Sequence, residues 1–184
     1  KRESVLVYLT TGVVTLFTFL PVLNSMFING FSSSLALYFQ KFEFNASIFY
    51  IVREIGLIIS GYDVIRIAGV ALAFIALVLI ILTALADVKE KNLLIGVLIW
   101  PLFIFLSLST VVHPWYITPL IAFSLFSRFR FPVLWSYFIF LTYLGYGESG
   151  FTENYLIVAI EYVAVFGMAF YELNKYKPFK NTAL

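Results

Sequence analysis

The sequence predicts an all-α membrane protein, a polytopic helix bundle of about six transmembrane spans with an amphipathic helix lying in the outer interface. Three observations predict it. Of 184 residues, 62% are hydrophobic and only 12% charged, where a soluble domain carries about 25% charged and about 45–50% apolar residues. A chain this short has too little interior to hide that much apolar surface. The apolar residues also gather in runs long enough to cross about 30 Å of hydrocarbon, roughly 20 residues at about 1.5 Å each. The same composition argues against a soluble enzyme, a nucleic-acid binder and a disordered chain. There is no cysteine and one histidine, His113, so disulfides and thiolate metal sites are excluded and a histidine-built metal site is disfavoured.

Val5 to Leu23 forms the first span and Ile65 to Ala86 the second and clearest. The 34 residues from Leu93 to Phe126 measure about 51 Å as one straight helix, too long for a single crossing and too short for two full ones with a polar turn. Pro101, Pro114 and Pro119 punctuate them. They read as a hairpin of two short helices breaking near Val112-His113-Pro114. Val133 to Tyr146 adds a short crossing, and Tyr155 to Leu173 the last. Charge supports this count. With Lys1 and Arg2 cytoplasmic, Lys89, Lys91, Arg128, Arg130, Lys175, Lys177 and Lys180 fall on the same side, leaving only Lys41, Arg53 and Arg66 of 12 basic residues outside, as the positive-inside bias requires. Both ends are then cytoplasmic. Residues 1–184 read as one transmembrane domain. Starting at Lys1 with no signal-peptide pattern, the chain reads as processed or as the C-terminal part of a longer one.

The outer segment, residues 24–64, is aromatic rather than polar. From Ala46 onward, Ser47, Tyr50, Arg53 and Glu54 recur at helical spacing, with Ile48, Val52, Ile55 and Ile59 on the other side. That is an amphipathic helix with a narrow polar stripe, expected apolar face down in the interface. Arg53 has two readings: a fork for a lipid phosphate, or a partner for Glu43, Glu54 or Asp63. Asn45-Ala46-Ser47 fits the N-glycosylation pattern, a short pattern of little weight. His113-Pro114-Trp115-Tyr116 is the densest cluster of special residues. Pro114 suits a first helical turn, leaving His113 just before the helix, at a break that must be buried or line a watery cavity. Trp115 and Tyr116 suit either a sugar ring or an ordinary interfacial belt. Glu161, inside the last span, is a functional candidate by its position. Glu172 lies near the cytoplasmic end and is expected to be solvated. Asp63 and Arg66 are spaced to pair.

Phe42-Glu43-Phe44-Asn45-Ala46-Ser47-Ile48-Phe49-Tyr50 followed by Arg53 and a span resembles the outer loop of bacterial GT-C fold membrane glycosyltransferases that use polyprenyl-phosphate sugars, many of them mannosyltransferases. So does Val112-His113-Pro114-Trp115-Tyr116 followed by a short helix and Arg128-Phe129-Arg130-Phe131-Pro132. The likeness runs from about Leu35 to the C-terminus. It implies a polyprenyl-phosphate sugar donor bound from the outer side, with Arg53 on the phosphate, His113 on the phosphate or sugar, Trp115 and Tyr116 shaping the pocket, and Glu43 and Asn45 near its entrance. The family's key acidic residue, which acts as base or binds a metal, sits in a first outer loop that has no counterpart here. This chain would therefore supply the donor-binding part and no cofactor, with any divalent metal belonging to the complete enzyme. The partners implied are membrane lipid, the donor, and an N-terminal half or other membrane subunits, in a bacterial inner membrane. The alternative is a non-catalytic membrane subunit bracing a larger complex.

Overall fold

A computed structural model describes residues 2–40, 42–86, 94–148 and 150–179. Lys1, Lys41, Lys89, Lys91 and Lys180, on which the orientation argument leans, lie outside them. The described chain is all-α apart from a two-residue hairpin and one isolated bridge. It divides into two compact units, Lys1–Leu37 and Tyr38–Leu184.

The first unit contains α1 (Arg2–Phe19) and most of α2 (Ser25–Gln40). Asn24 caps α2, its Oδ1 accepting the Phe27 N–H at 2.8 Å. The outer segment was expected to hold a single helix. The stretch from Ser25 forms another because Phe27 and Phe31, one turn apart, stack along one side with centroids 5.9 Å apart.

The second unit carries α3 (Ile48–Ser60), α4 (Ile65–Leu85), α5 (Leu94–Leu108), a 3-10 turn at Pro114–Ile117, α6 (Thr118–Leu125), α7 (Phe131–Phe138) continued as 3-10 helix over Ile139–Gly145, strands β1 (Tyr146–Gly147) and β2 (Gly150–Phe151), and α8 (Tyr155–Tyr176). Gly61, at φ 74, closes α3 with its N–H on the Leu57 carbonyl at 2.9 Å. Of the six spans expected, α4 and α8 are long and apolar enough to cross a membrane. Val5–Phe19, Gly96–Leu108 and Phe131–Gly145 are shorter apolar helices. The chain between α5 and α6 breaks where expected, with Pro114 opening the turn and His113 just ahead of it in extended conformation. Pro101 stays inside α5 rather than ending it.

An aromatic stack fills the core between α5, α7 and α8. Phe103 meets Phe131 at 4.8 Å, Phe166 at 5.7 Å, and Trp100 and Trp135 at 5.9 Å, all near edge-on. Such pairs contribute about 0.5–1.5 kcal/mol each beyond the area they bury.

Two acidic residues sit differently from expectation. Glu172 is buried, not solvated. It accepts the backbone N–H of Arg130 at 2.8 and 2.9 Å and that of Phe131 at 3.0 Å, capping α7 from across the bundle. The Arg130 guanidinium turns the other way, onto the carbonyls of Ser124 and Ser127 at the end of α6. Asp63 takes the Ile65 N–H at 2.8 Å, starting α4, rather than pairing with Arg66. Its carboxylate is used by the helix terminus, where orphan N–H groups need an acceptor. Replacing Glu172 by Ala strips α7 of this cap and is expected to cost about 1–2 kcal/mol, read as a lower unfolding temperature by circular dichroism in detergent micelles. An unchanged midpoint would contradict the capping role.

Candidate functional site

The strand-like stretch before α3 organises the site. Phe44 pairs in parallel with Val111 just after α5, its N–H on the Thr110 carbonyl at 3.0 Å and its carbonyl receiving the Val112 N–H at 2.8 Å. That bridge carries Glu43 and Asn45 to one side and the His113 turn to the other.

Asn45 is wholly buried and adopts φ 46, a left-handed conformation that asparagine tolerates better than most residues. Its amide Nδ2 donates to Glu161 Oε1 at 3.0 Å, its N–H donates to Glu153 Oε2 at 3.2 Å, and its carbonyl accepts the Tyr162 hydroxyl at 2.7 Å. Trp135 Nε1 adds a second donor to Glu161 Oε1 at 2.8 Å, and Tyr50 a second donor to Glu153 Oε2 at 2.7 Å. Asn45 is thus a structural hub, not a group at a pocket entrance. Its enclosed amide is closed to glycosylation in the folded chain. Glu161, fully buried, serves the same hub.

The amphipathic helix α3 exists, and its polar stripe faces the protein at Tyr50 and Arg53, with Glu54 at the exposed edge. Tyr50 and Arg53 are buried, while Ile51, Ile55, Ile58 and Ile59 point outward, Ile58 being 84% exposed. Arg53 pairs with Glu43 and, at 2.8 Å, with Glu54. It also lies 2.9 Å from the Tyr155 hydroxyl, and over the rings of Tyr50 and Tyr155 at 5.1 and 5.3 Å. So the carboxylate-pairing reading of Arg53 describes this structure, with Glu43 and Glu54 as partners and Asp63 not among them. Burial opposes the Arg53 charge, yet the hydrogen bonds with Tyr155 and Glu54 and the Glu43 charge outweigh it and hold the guanidinium more firmly protonated than usual. Burial pushes the Glu43 carboxyl above its ordinary range despite Arg53, and burial beside Glu153 pushes the Tyr50 phenol up. Arg53 Nε and Glu43 Oε2 find no protein partner among the described residues.

His113 belongs to a separate aromatic cluster. Its ring stacks on Trp115 at 4.4 Å, meets Tyr116 edge-on at 5.3 Å, and lies 4.7 Å from Phe44. Trp115, 59% exposed, and Tyr116 line a cavity of about 380 Å³ with Leu102, Phe105, Leu106 and Pro119. The structure does not bring His113 to the Arg53 guanidinium. Phe42 and Phe44, on either side of Glu43, reach the His113 ring and so lie between the two clusters.

A larger groove, about 640 Å³, runs between α3 and α8. Ile51, Ile55 and Ile58 form one wall, Val158, Ala159, Tyr162, Val163 and Phe166 the other, and Tyr50, Glu54 and Tyr155 also line it. Glu153 and Tyr155, which join the Arg53 and Asn45 clusters, had no signal in the sequence. No motif contains them, and they meet Tyr50 and Arg53 only through contacts more than 100 residues apart.

Asn45→Ala is expected to destabilise the chain by about 2–4 kcal/mol, from the left-handed backbone and the lost bond to a buried carboxylate. Asn45→Gly should recover the backbone share only. Chemical unfolding followed by tryptophan fluorescence separates the three. A second expectation concerns pH. Burial lowers the His113 pKa below its ordinary 6.5, so the fold favours the neutral ring. The stability this contributes is complete above about pH 6.5 and is lost as pH falls through the lower folded value. Thermal melts at about pH 7.5 and about pH 5 should show a loss in the parent chain that His113→Gln reduces.

No curated relative and no solved structure matches the chain. The sequence pattern of the MptB C-terminal domain matches residues 46–172, from just after Asn45 to the last turn of α8. MptB is a GT-C mannosyltransferase. With two helices fit to cross a bilayer and a GT-C resemblance in the same stretch, the protein is a membrane protein belonging to the MptB C-terminal domain family.

Proposed function

We propose that this chain supplies the donor-binding part of a membrane mannosyltransferase that transfers sugar from a polyprenyl-phosphate carrier to an acceptor on the outer face. Six crossings, with both termini cytoplasmic in a bacterial inner membrane, complete this reading. The observation that carries it is the α3–α8 groove inside the family-matched residues, whose walls are hydrocarbon and whose lining includes two phenols bonded to or stacked on the buried Arg53 guanidinium. An amphiphile with a long apolar tail and one anionic head suits that gradient. The isoprenoid chain lies along Ile51, Ile55 and Ile58 against α8, where burial contributes about 25 cal/mol per Å² of apolar surface. The phosphate comes to Arg53.

Arg53 is already paired, so phosphate binding must displace a carboxylate. Glu54 is the one to leave, because its side chain is 59% exposed and regains water cheaply. Glu43, more enclosed, keeps the guanidinium aimed. His113, Trp115 and Tyr116 line the neighbouring aromatic shelf, where a sugar ring can stack on the open Trp115 face. Glu43 and Asn45 then shape the site from behind rather than at its entrance.

A second reading has one observation in its favour. Arg53 already has two carboxylates and a phenol, as a residue that only braces α3 against α8 would. The two readings separate on variants of the complete enzyme. Ala159→Trp fills the groove without touching the polar clusters, and is expected to raise the KM for the polyprenyl donor at least about tenfold. Arg53→Lys, which keeps the charge and loses the fork, is expected to lower kcat/KM by about 10–100-fold with little change in unfolding temperature. Normal turnover by both variants would leave the bracing role alone. Arg53→Ala is a poorer probe, since it strands the half-buried Glu43 charge.

A further inference from the structure

A third cavity, about 630 Å³, shares Tyr155 with the α3–α8 groove. Tyr146, Gly147 and Gly150 of the hairpin line it together with Thr152, Glu153 and Tyr155. We propose that this cavity binds a neutral saccharide, the acceptor of the reaction, with Glu153 receiving one of its hydroxyl hydrogens. The inference deepens the donor reading above and rests on it.

Four observations carry it. First, the size lies within the span of about 300–1,000 Å³ common to small-molecule sites. Second, the one charged side chain in the lining is Glu153. A phosphate or carboxylate ligand is therefore repelled, which separates this cavity from the end of the α3–α8 groove. Third, Glu153 is held in one orientation by its own neighbours: Oε2 takes the Tyr50 hydroxyl at 2.7 Å and the Asn45 N–H at 3.2 Å. Its other oxygen, Oε1, is enclosed and has no donor among the described residues. An enclosed carboxylate oxygen is costly without a hydrogen bond, and a sugar hydroxyl supplies one. Fourth, the rings of Tyr146 and Tyr155 are 56% and 50% exposed. An aromatic face beside a fixed carboxylate matches a pyranose, which has an apolar face and hydroxyls around its rim.

The shape is built by the chain itself. Thr152 donates its N–H to the Gly145 carbonyl at 2.9 Å, closing the hairpin. A Cβ on Gly145 would stand 2.5 Å from the Thr152 carbonyl oxygen, so this closure requires glycine. Tyr155 lines both cavities. A donor in the groove and a saccharide by the hairpin would thus be neighbours across the one side chain of Tyr155.

The test uses the full chain in lipid nanodiscs and saturation-transfer NMR. The probes are methyl mannoside, methyl glucoside, inorganic phosphate and choline. The expected result is saturable binding of a neutral glycoside and none of phosphate. Glu153→Gln is expected to weaken glycoside binding about 10–100-fold, the range for a hydrogen bond to a charged group. Tyr146→Leu, at a half-exposed ring remote from the Asn45 hub, should weaken it several-fold even if Glu153→Gln folds poorly. Binding of choline alone would make this a cation site and overturn the proposal, as would absence of glycoside binding or glycoside binding unchanged in both variants. Polyprenyl phosphate binding is measured in the same samples. Its loss in Ala159→Trp speaks to the donor groove, whereas glycoside binding speaks only to the hairpin cavity, so the two readings fail separately.

Discussion

Polar groups enclosed in an apolar bundle must satisfy one another, and here that requirement converges on Asn45. Its amide and carbonyl tie α8, and its N–H the loop before α8, to a single backbone position just ahead of α3. Because each partner sits more than 100 residues away in sequence, none of these elements can shift without leaving a buried donor or acceptor unpaired. Such a loss costs about 1–3 kcal/mol for each neutral group and more for a charged one. The left-handed backbone at Asn45 is strain retained for this purpose. From this point Glu43 is delivered to Arg53, Phe44 to His113, and Glu153 to the hairpin cavity.

Glu172 solves the same problem at the other end of the bundle. There a carboxylate on α8 takes the free N–H groups that begin α7, while Arg130 takes carbonyls that end α6. The two carboxylates of α8, Glu161 and Glu172, thereby pin the Asn45 hub and the α6–α7 turn to one helix. The aromatic stack around Phe103 fills the space between. A rigid scaffold with the irregular chain at its ends is where binding groups are best held.

Much of this was legible in the residues. The uninterrupted apolar runs gave α4 and α8 within a few residues of their observed ends, because nothing in them breaks the helix. The prolines marked the turn at His113. The α3 pattern was readable as amphipathic, but which face met the protein was not, since spacing fixes a stripe and not its partner. Arg53 stands out in the polar stripe, but spacing alone does not choose between a phosphate and the carboxylates of Glu43 and Glu54. Glu153 was invisible: it lies in no periodic segment, and its value comes from Tyr50 and Asn45 being folded onto it. Glu172 was misplaced because position near a helix end suggests solvent, and only the return of residues 130–131 onto α8 buries it. The apolar runs read as six crossings, and among the described residues two helices have the length for one.

The inverted character of α3 separates solubility from recognition in this domain. The polar groups of that helix, Tyr50 and Arg53, look inward and Ile58 walls the groove, whereas the exposed Ile59 lies outside the groove lining. The outward row is a coat suited to fatty surroundings, and a coat can be changed. Recutting Ile59 in glutamate or lysine would leave the groove and the inward surface as they are, and would offer a route to handling this domain with less detergent.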